Sequence, residues 1–196
     1  MKLPDQYADT SSWSYHIDED YYAELDRIRA LFDEDWPEPD PTALHEATTF
    51  LTREARLIDE GRFNHWLELF SDDCLYWVPV TSGGGEPRTE VSHAFDDRRR
   101  LTDRVYWLRT GLAYSQIPAS RTRRVIGNVD VVELAPESRL VRSNFVVYEF
   151  RAGVTKVYAG WYAHTLVKTE QGWRIKVKRA NLLDSEQYHE NLTLVF

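Results

Sequence analysis

A chain of 196 residues is long enough for one good core and too short for two ordinary domains and a linker. Apolar residues make up 42% of it and aromatics 13%, including seven Trp and eleven Tyr, which excludes a disordered chain. A formal charge of −8 disfavours nucleic acid and anionic membrane partners, and the lone Cys74 excludes an intrachain disulfide or a thiolate metal cluster.

Residues 1–15 carry Asp, Ser and Tyr where a signal peptide would carry a basic patch and an apolar stretch. No apolar run nears the roughly 20 residues that span a bilayer, so a soluble, cytoplasmic protein is expected. The first periodic segment follows Asp18 as N-cap and runs to about residue 32, with Leu25, Ile28 and Phe32 on one face. Trp36-Pro37-Glu38-Pro39-Asp40-Pro41 then breaks the helix, because each proline removes a donor and restricts the residue before it. Asp40 before Pro41 starts a second helix, whose Leu44, Ala47, Leu51, Ala55 and Ile58 form one stripe until Gly61 stops it.

Phe63, Trp66, Leu67 and Phe70 repeat the helical spacing and are expected to end at Ser71-Asp72-Asp73. Cys74-Leu75-Tyr76-Trp77-Val78-Pro79-Val80 reads as the first strand, with Pro79 at an edge or a bulge. A glycine-rich turn around Gly83-Gly84-Gly85 precedes a further helix through Leu101, Val105 and Leu108, stopped by Gly111. Asp96-Asp97-Arg98-Arg99-Arg100 falls at the start of that helix, where the acids suit its dipole. Four β-rich runs near 121–134, 139–151, 155–168 and 172–184 follow as an antiparallel meander. Helices first and strands later indicate an α+β domain, without internal repeats.

The sequence shows no assembled chemistry. The six histidines, His16, His45, His65, His93, His164 and His189, are scattered, and no pair has metal-ligand spacing. One cysteine cannot hold a Rieske cluster. Gly83-Gly84-Gly85 lacks the Lys of a phosphate loop, Ser120 and Ser143 lack nucleophile-elbow glycines, and Cys74 reads better as a small buried hydrophobe than as a nucleophile. Alternation places Tyr158, Tyr162 and His164 on one strand face, away from Trp161 and Ala163. That face could line a pocket in which His164 with Asp72 or Asp73 acts as an acid/base pair of a lyase or isomerase; a hydrogen-bonded strand histidine is the plainer reading. Ser120-Arg121-Thr122-Arg123-Arg124 is too short and too isolated for a nucleic-acid patch, so Arg121, Arg123 and Arg124 are expected to form an ion-pairing surface between chains or a solvated strand end.

Four stretches carry a family resemblance: Phe50-Leu51-Thr52-Arg53-Glu54-Ala55-Arg56-Leu57-Ile58-Asp59 with 66–80 after it; Asp96-Asp97 through Arg104-Val105; Ser120-Arg121-Thr122-Arg123-Arg124 leading to Gly127-Asn128-Val129; and Ser143-Asn144-Phe145. With Leu182-Leu183-Asp184 and the closing Asn191-Leu192-Thr193-Leu194-Val195-Phe196, the chain from Thr42 onward resembles the small (beta) subunit of aromatic-ring-hydroxylating dioxygenases. The resemblance implies a cone-shaped fold shared with nuclear transport factor 2 and ketosteroid isomerase, a curved mixed or antiparallel sheet wrapped against helices. Residues 1–41 would supply a helix and linker to the same domain, and 42–196 the cone itself. It further implies a non-catalytic chain without cofactor, assembled as three large and three small subunits with the small chains forming a trimer. The large (alpha) subunit would carry the Rieske cluster and a mononuclear iron. NADH would feed electrons through a reductase for cis-dihydroxylation of an aromatic ring in bacterial catabolism.

Overall fold

In the computed structural model, residues 17–81, 84–110, 116–189, 192 and 194–196 are described. Helix α1 spans Glu19–Phe32, capped by Asp18, whose carboxylate accepts from the Tyr21 amide, and α2 spans Pro41–Asp59, capped in the same way by Asp40. The short α3 (Phe63–Leu67) leads into β1 (Phe70–Pro79), β2 (Ser92–Asp97) and α4 (Arg98–Thr110). Four long strands complete the chain: β3 (Arg121–Ala135), β4 (Ser138–Arg151), β5 (Val154–Thr169) and β6 (Gly172–Leu182).

The six strands form one sheet in the order β2-β1-β6-β5-β4-β3. The last four are the expected antiparallel meander, and β1 inserts between β2 and β6, parallel to β6, which makes the sheet mixed. Helices pack on both faces. On the inner face, Ala47, Leu51 and Ile58 of α2, Trp66 of α3 and Leu101 of α4 pack on Tyr76, Phe145, Tyr162 and Ile175. On the outer face, Tyr21 and Leu25 of α1 pack on Leu75, Trp77 and Val177, and Ile28 and Phe32 pack on Leu140 and Ala163.

Three local expectations are corrected. The helix read through Phe70 ends at Leu67, because the sheet takes over: the Leu69 carbonyl accepts from the Ile175 amide and Phe70 pairs with Ile175. The Phe70 ring still meets Trp66 edge-on at 4.9 Å, so an i, i+4 apolar pair formed across a turn had imitated a continuing helix. Ser71-Asp72-Asp73, expected as the helix end, lies inside β1, where the β1/β6 ladder slips between Phe70 and Leu75 and leaves polar side chains outside the core. Asp96 and Asp97 belong to the end of β2, a strand without strong periodicity, and Asp97 caps α4 by accepting from the Arg100 amide at 2.8 Å. Pro79 does sit at a register shift in β1. Gly83 and Gly111 lie outside the described residues, as does His16.

Gly160 of β5 lies tight against β6, where a Cβ would sit 2.0 Å from the Asn181 carbonyl oxygen and 3.0 Å from the Phe145 ring. Backbone cannot yield as a side chain can. Gly160→Ala is therefore expected to lower the urea midpoint, followed by circular dichroism, by an amount equivalent to about 1–3 kcal/mol. A variant as stable as the parent would contradict this close approach.

Candidate functional site

Alternation sends Tyr158, Tyr162 and His164 of β5 to the inner face, together with Lys178 of β6 and Tyr76 of β1, while α2 crosses above them. Glu54 falls in the apolar stripe of α2 and so must enter the core between Leu51 and Ile58. There its carboxylate accepts from Lys178 Nζ at 2.6 Å and from Trp66 Nε1 at 3.1 Å through one oxygen, and lies 3.2 Å from His164 Nε2 through the other. Glu54, Lys178 and His164 are all buried, and the Lys178 ammonium also lies 4.5 Å from the centre of the Tyr162 ring.

The charges of this cluster follow from its surroundings. Burial alone would raise the Glu54 carboxyl, but Lys178 and His164 outweigh it and hold the group below the usual carboxylate range. Burial lowers Lys178 to about 8, against the pull of Glu54, and burial likewise lowers His164. Near pH 7 the cluster is therefore one carboxylate, one ammonium and a neutral imidazole, with no net charge in the core.

A second buried pair lies nearer the end of α2. Asp59 accepts from the Arg124 guanidinium, from the Arg124 amide at 2.7 Å and from the Thr122 hydroxyl at 2.8 Å. Arg124 also donates to the Val195 carbonyl. The Phe196 amide donates to the Tyr76 hydroxyl at 3.0 Å, and the Phe196 ring packs edge-on against Tyr158 at 5.4 Å. Leu194, Val195 and Phe196 are buried in the same core as Phe145 and Tyr162, so the inner face is filled by the chain's own residues.

This arrangement changes the reading of several residues. His164 does not meet Asp72 or Asp73: it is buried against Glu54, whereas both aspartates are exposed in the β1 irregularity. The acid/base pair expected for a lyase or isomerase is thus not assembled. Glu54 was missed, although an acid between Leu51 and Ile58 on the apolar stripe was a legible sign that a buried cation awaited it. Arg124 turns inward to Asp59 with only 1% of its side chain exposed, so it is no free surface group. Arg121 and Arg123 stay exposed, the first over the Phe150 ring at 4.7 Å.

Cys74 is buried and burial pushes its thiol up to about 12, which removes thiolate chemistry near neutral pH. Ser120 donates to Glu149, which also accepts from the Tyr158 hydroxyl at 3.2 Å, and Ser143 is buried beside Tyr162 in the β4/β5 register. His93 and His189 contact the backbone carbonyls of Ser185 and Asp184, and His45 and His65 are exposed. Among the described residues no three His, Cys, Asp or Glu side chains converge as metal ligands, and no helix is long and apolar enough to cross a membrane.

The fold defines a cone-shaped α+β domain whose inner face carries two buried ion pairs, Glu54 with Lys178 and Asp59 with Arg124. Residues 53–188 match the family described as Ring hydroxylating beta subunit. The small oxygenase component of the p-cumate 2,3-dioxygenase system of Pseudomonas putida is 32% identical over 156 residues, covering 76% of this chain and 85% of that protein. The beta subunit of biphenyl 2,3-dioxygenase from Rhodococcus jostii RHA1 is 32% identical over 170 residues, covering 80% and 90%. The crystal structure of the benzoate 1,2-dioxygenase beta subunit from Burkholderia mallei superimposes with a TM-score of 0.65 at 22% identity, covering 82% of this chain and all of that one. The chain belongs to the family of small subunits of ring-hydroxylating dioxygenases.

Removing the Glu54 charge leaves Lys178 buried without a counter-ion. Glu54→Gln is expected to cost about 3–5 kcal/mol in urea unfolding, and Glu54→Leu combined with Lys178→Met should recover most of the loss. An additive double variant would deny the coupling. Acid unfolding provides a further check. The folded pKa of Glu54 lies below its ordinary 4.5, so its contribution is complete above that pH and fades as the pH falls below it. Urea midpoints of the parent between pH 6 and 3 should therefore fall more steeply than those of Glu54→Gln.

Proposed function

We propose that this chain is a structural, non-catalytic subunit that holds large oxygenase subunits in place, in a cytoplasmic complex of three large and three small chains whose small chains form a trimer. Residues 1–41 and 42–196 act as one domain in it. The large subunit would hold the Rieske cluster and mononuclear iron. NADH would supply electrons through a reductase for cis-dihydroxylation of an aromatic ring. The observation that carries this reading is the distribution of chemistry on the chain: His164, Glu54 and Lys178 are packed against one another inside the cone, whereas part of the outer sheet face is left open.

That face has a definite composition. Register aligns Arg121, Phe150 and Thr155 in one row, Arg123, Tyr148 and Val157 in the next, and Val125, Val146 and Ala159 in a third. Helix α1 covers the outer sheet as far as Leu140, Ala163 and Trp161, and Val125, Tyr148, Phe150 and Val157 remain exposed. Aromatic rings beside arginines are the side chains that protein interfaces favour. We assign this grid, with Arg121 and Arg123, to the contact with the large subunit.

Co-expression with the large subunit, followed by affinity capture and native mass determination, should return a stable complex containing both chains. Arg121→Ala with Arg123→Ala and Tyr148→Glu should weaken that association at least tenfold while circular dichroism stays unchanged; unchanged affinity would remove the grid from the interface. In the assembled oxygenase, His164→Gln should leave turnover per complex within a few-fold of the parent. Loss of a general acid or base costs roughly a hundredfold or more. A drop of that size with assembly intact would place chemistry on this chain.

A further inference from the structure

The chain's charge is segregated along its length. Residues 17–40 hold ten Asp and Glu against Arg27 and Arg29, a local charge of −8 that equals the formal charge of the whole chain. Residues 41–196 hold 21 basic and 20 acidic side chains. After α1, Glu34, Asp35 and Glu38 are exposed and have no ion-pair partner among the described residues. The linker is fixed in place by Trp36, whose ring packs on Phe32 at 5.3 Å and under the Arg142 guanidinium at 4.4 Å, on the outer side of the sheet.

The opposite charge is collected elsewhere. On the solvent side of α2, beside α3, an open cleft of about 520 Å³ is lined by His45, Arg53, Arg56, Arg62 and His65. Arg53 and Arg56 are exposed and have no ion-pair partner among the described residues, and Arg62 has only a 3.6 Å contact with the exposed Glu60. The two sites cannot neutralise each other within one molecule. Arg53 and Arg56 follow Pro41 by 12 and 15 residues along a continuous helix, roughly 18 and 22 Å at about 1.5 Å per residue, against a screening length of about 8 Å at physiological salt.

We propose that this cleft docks the acidic Glu34–Glu38 linker of a second copy of the chain. The complement of the basic cleft is carried by the same sequence, on a different face, so the contact is head-to-tail and repeats around a ring wherever the rotation closes. The inference deepens the assembly reading above by naming the contact between small chains, and it is separate from the sheet face assigned to the large subunit.

The test is sedimentation velocity of the full chain at about 50 mM and 500 mM salt, with circular dichroism as the folding control. The parent should self-associate, and high salt should weaken the association at least tenfold. Arg53→Glu with Arg56→Glu in one variant, and Glu34→Lys with Asp35→Lys in another, should each reduce self-association at least tenfold. All four positions are exposed, so folding should survive. Mixing the two variants should restore pairing between unlike chains, read as a heterodimer, because each then offers the charge the other lacks. Alternation in a three-membered ring leaves one like-charged junction, so the pair and not the ring is the expected species. A parent that stays monomeric at low salt, association indifferent to both reversals, or a mixture that forms no heterodimer would each overturn the proposal. Reversals that spare self-association but abolish capture by the large subunit refute this contact and leave the structural-subunit reading standing. A chain that self-associates as described yet never binds a large subunit refutes that reading instead.

Discussion

A carboxylate in the apolar stripe of a helix constrains everything packed beneath it. Glu54 is carried into the core by the same periodicity that buries Leu51 and Ile58, and it stays ionised there only if a cation and hydrogen-bond donors meet it. Lys178, Trp66 and His164 come from three separate elements, β6, α3 and β5. The rotation of α2 over the sheet, the β5/β6 register and the placement of α3 are thereby tied to one another. Five residues further along, Asp59 at the C-terminal end of α2 binds Arg124 and Thr122 of β3 and fixes that end of the helix to the far edge of the sheet. Apolar packing along α2, from Ala43 to Ile58, supplies the burial, and the two ion pairs hold the helix in the register in which both are satisfied.

The same constraint sets the surroundings of the side chains best suited to catalysis. A general acid or base needs a substrate within hydrogen-bond reach and a proton to exchange. His164 faces Glu54 in a filled core, Tyr76 takes the Phe196 amide, and Cys74 is a buried thiol. Leu194 to Phe196 occupy the inner face beside Tyr158 and Phe145. The cone's interior is packed with the chain's own side chains, and the contacts proposed for it fall on its surfaces: an aromatic and arginine-bearing sheet face, a basic cleft on α2 and an acidic linker after α1.

Local chemistry determined a large part of the structure without tertiary information. Asp18 and Asp40 capped the helices they precede, Pro79 marked a register shift, and the four long strands were legible from their β-branched and aromatic runs because alternation is a local property. The order of segments was enough to identify the family. Tertiary structure decided what depends on partners distant in sequence. Strand β1 displaced the end of a helical pattern at Phe70 because pairing with Ile175, 105 residues later, outweighs helical spacing. Arg121, Arg123 and Arg124 look alike in sequence, yet only Arg124 faces inward, since alternation on β3 sends it to Asp59 while its neighbours face solvent. His164 was visible as a strand histidine on a buried face, but its partner Glu54 lies 110 residues away on a helix, and only the packing of α2 on β5 could bring the two together.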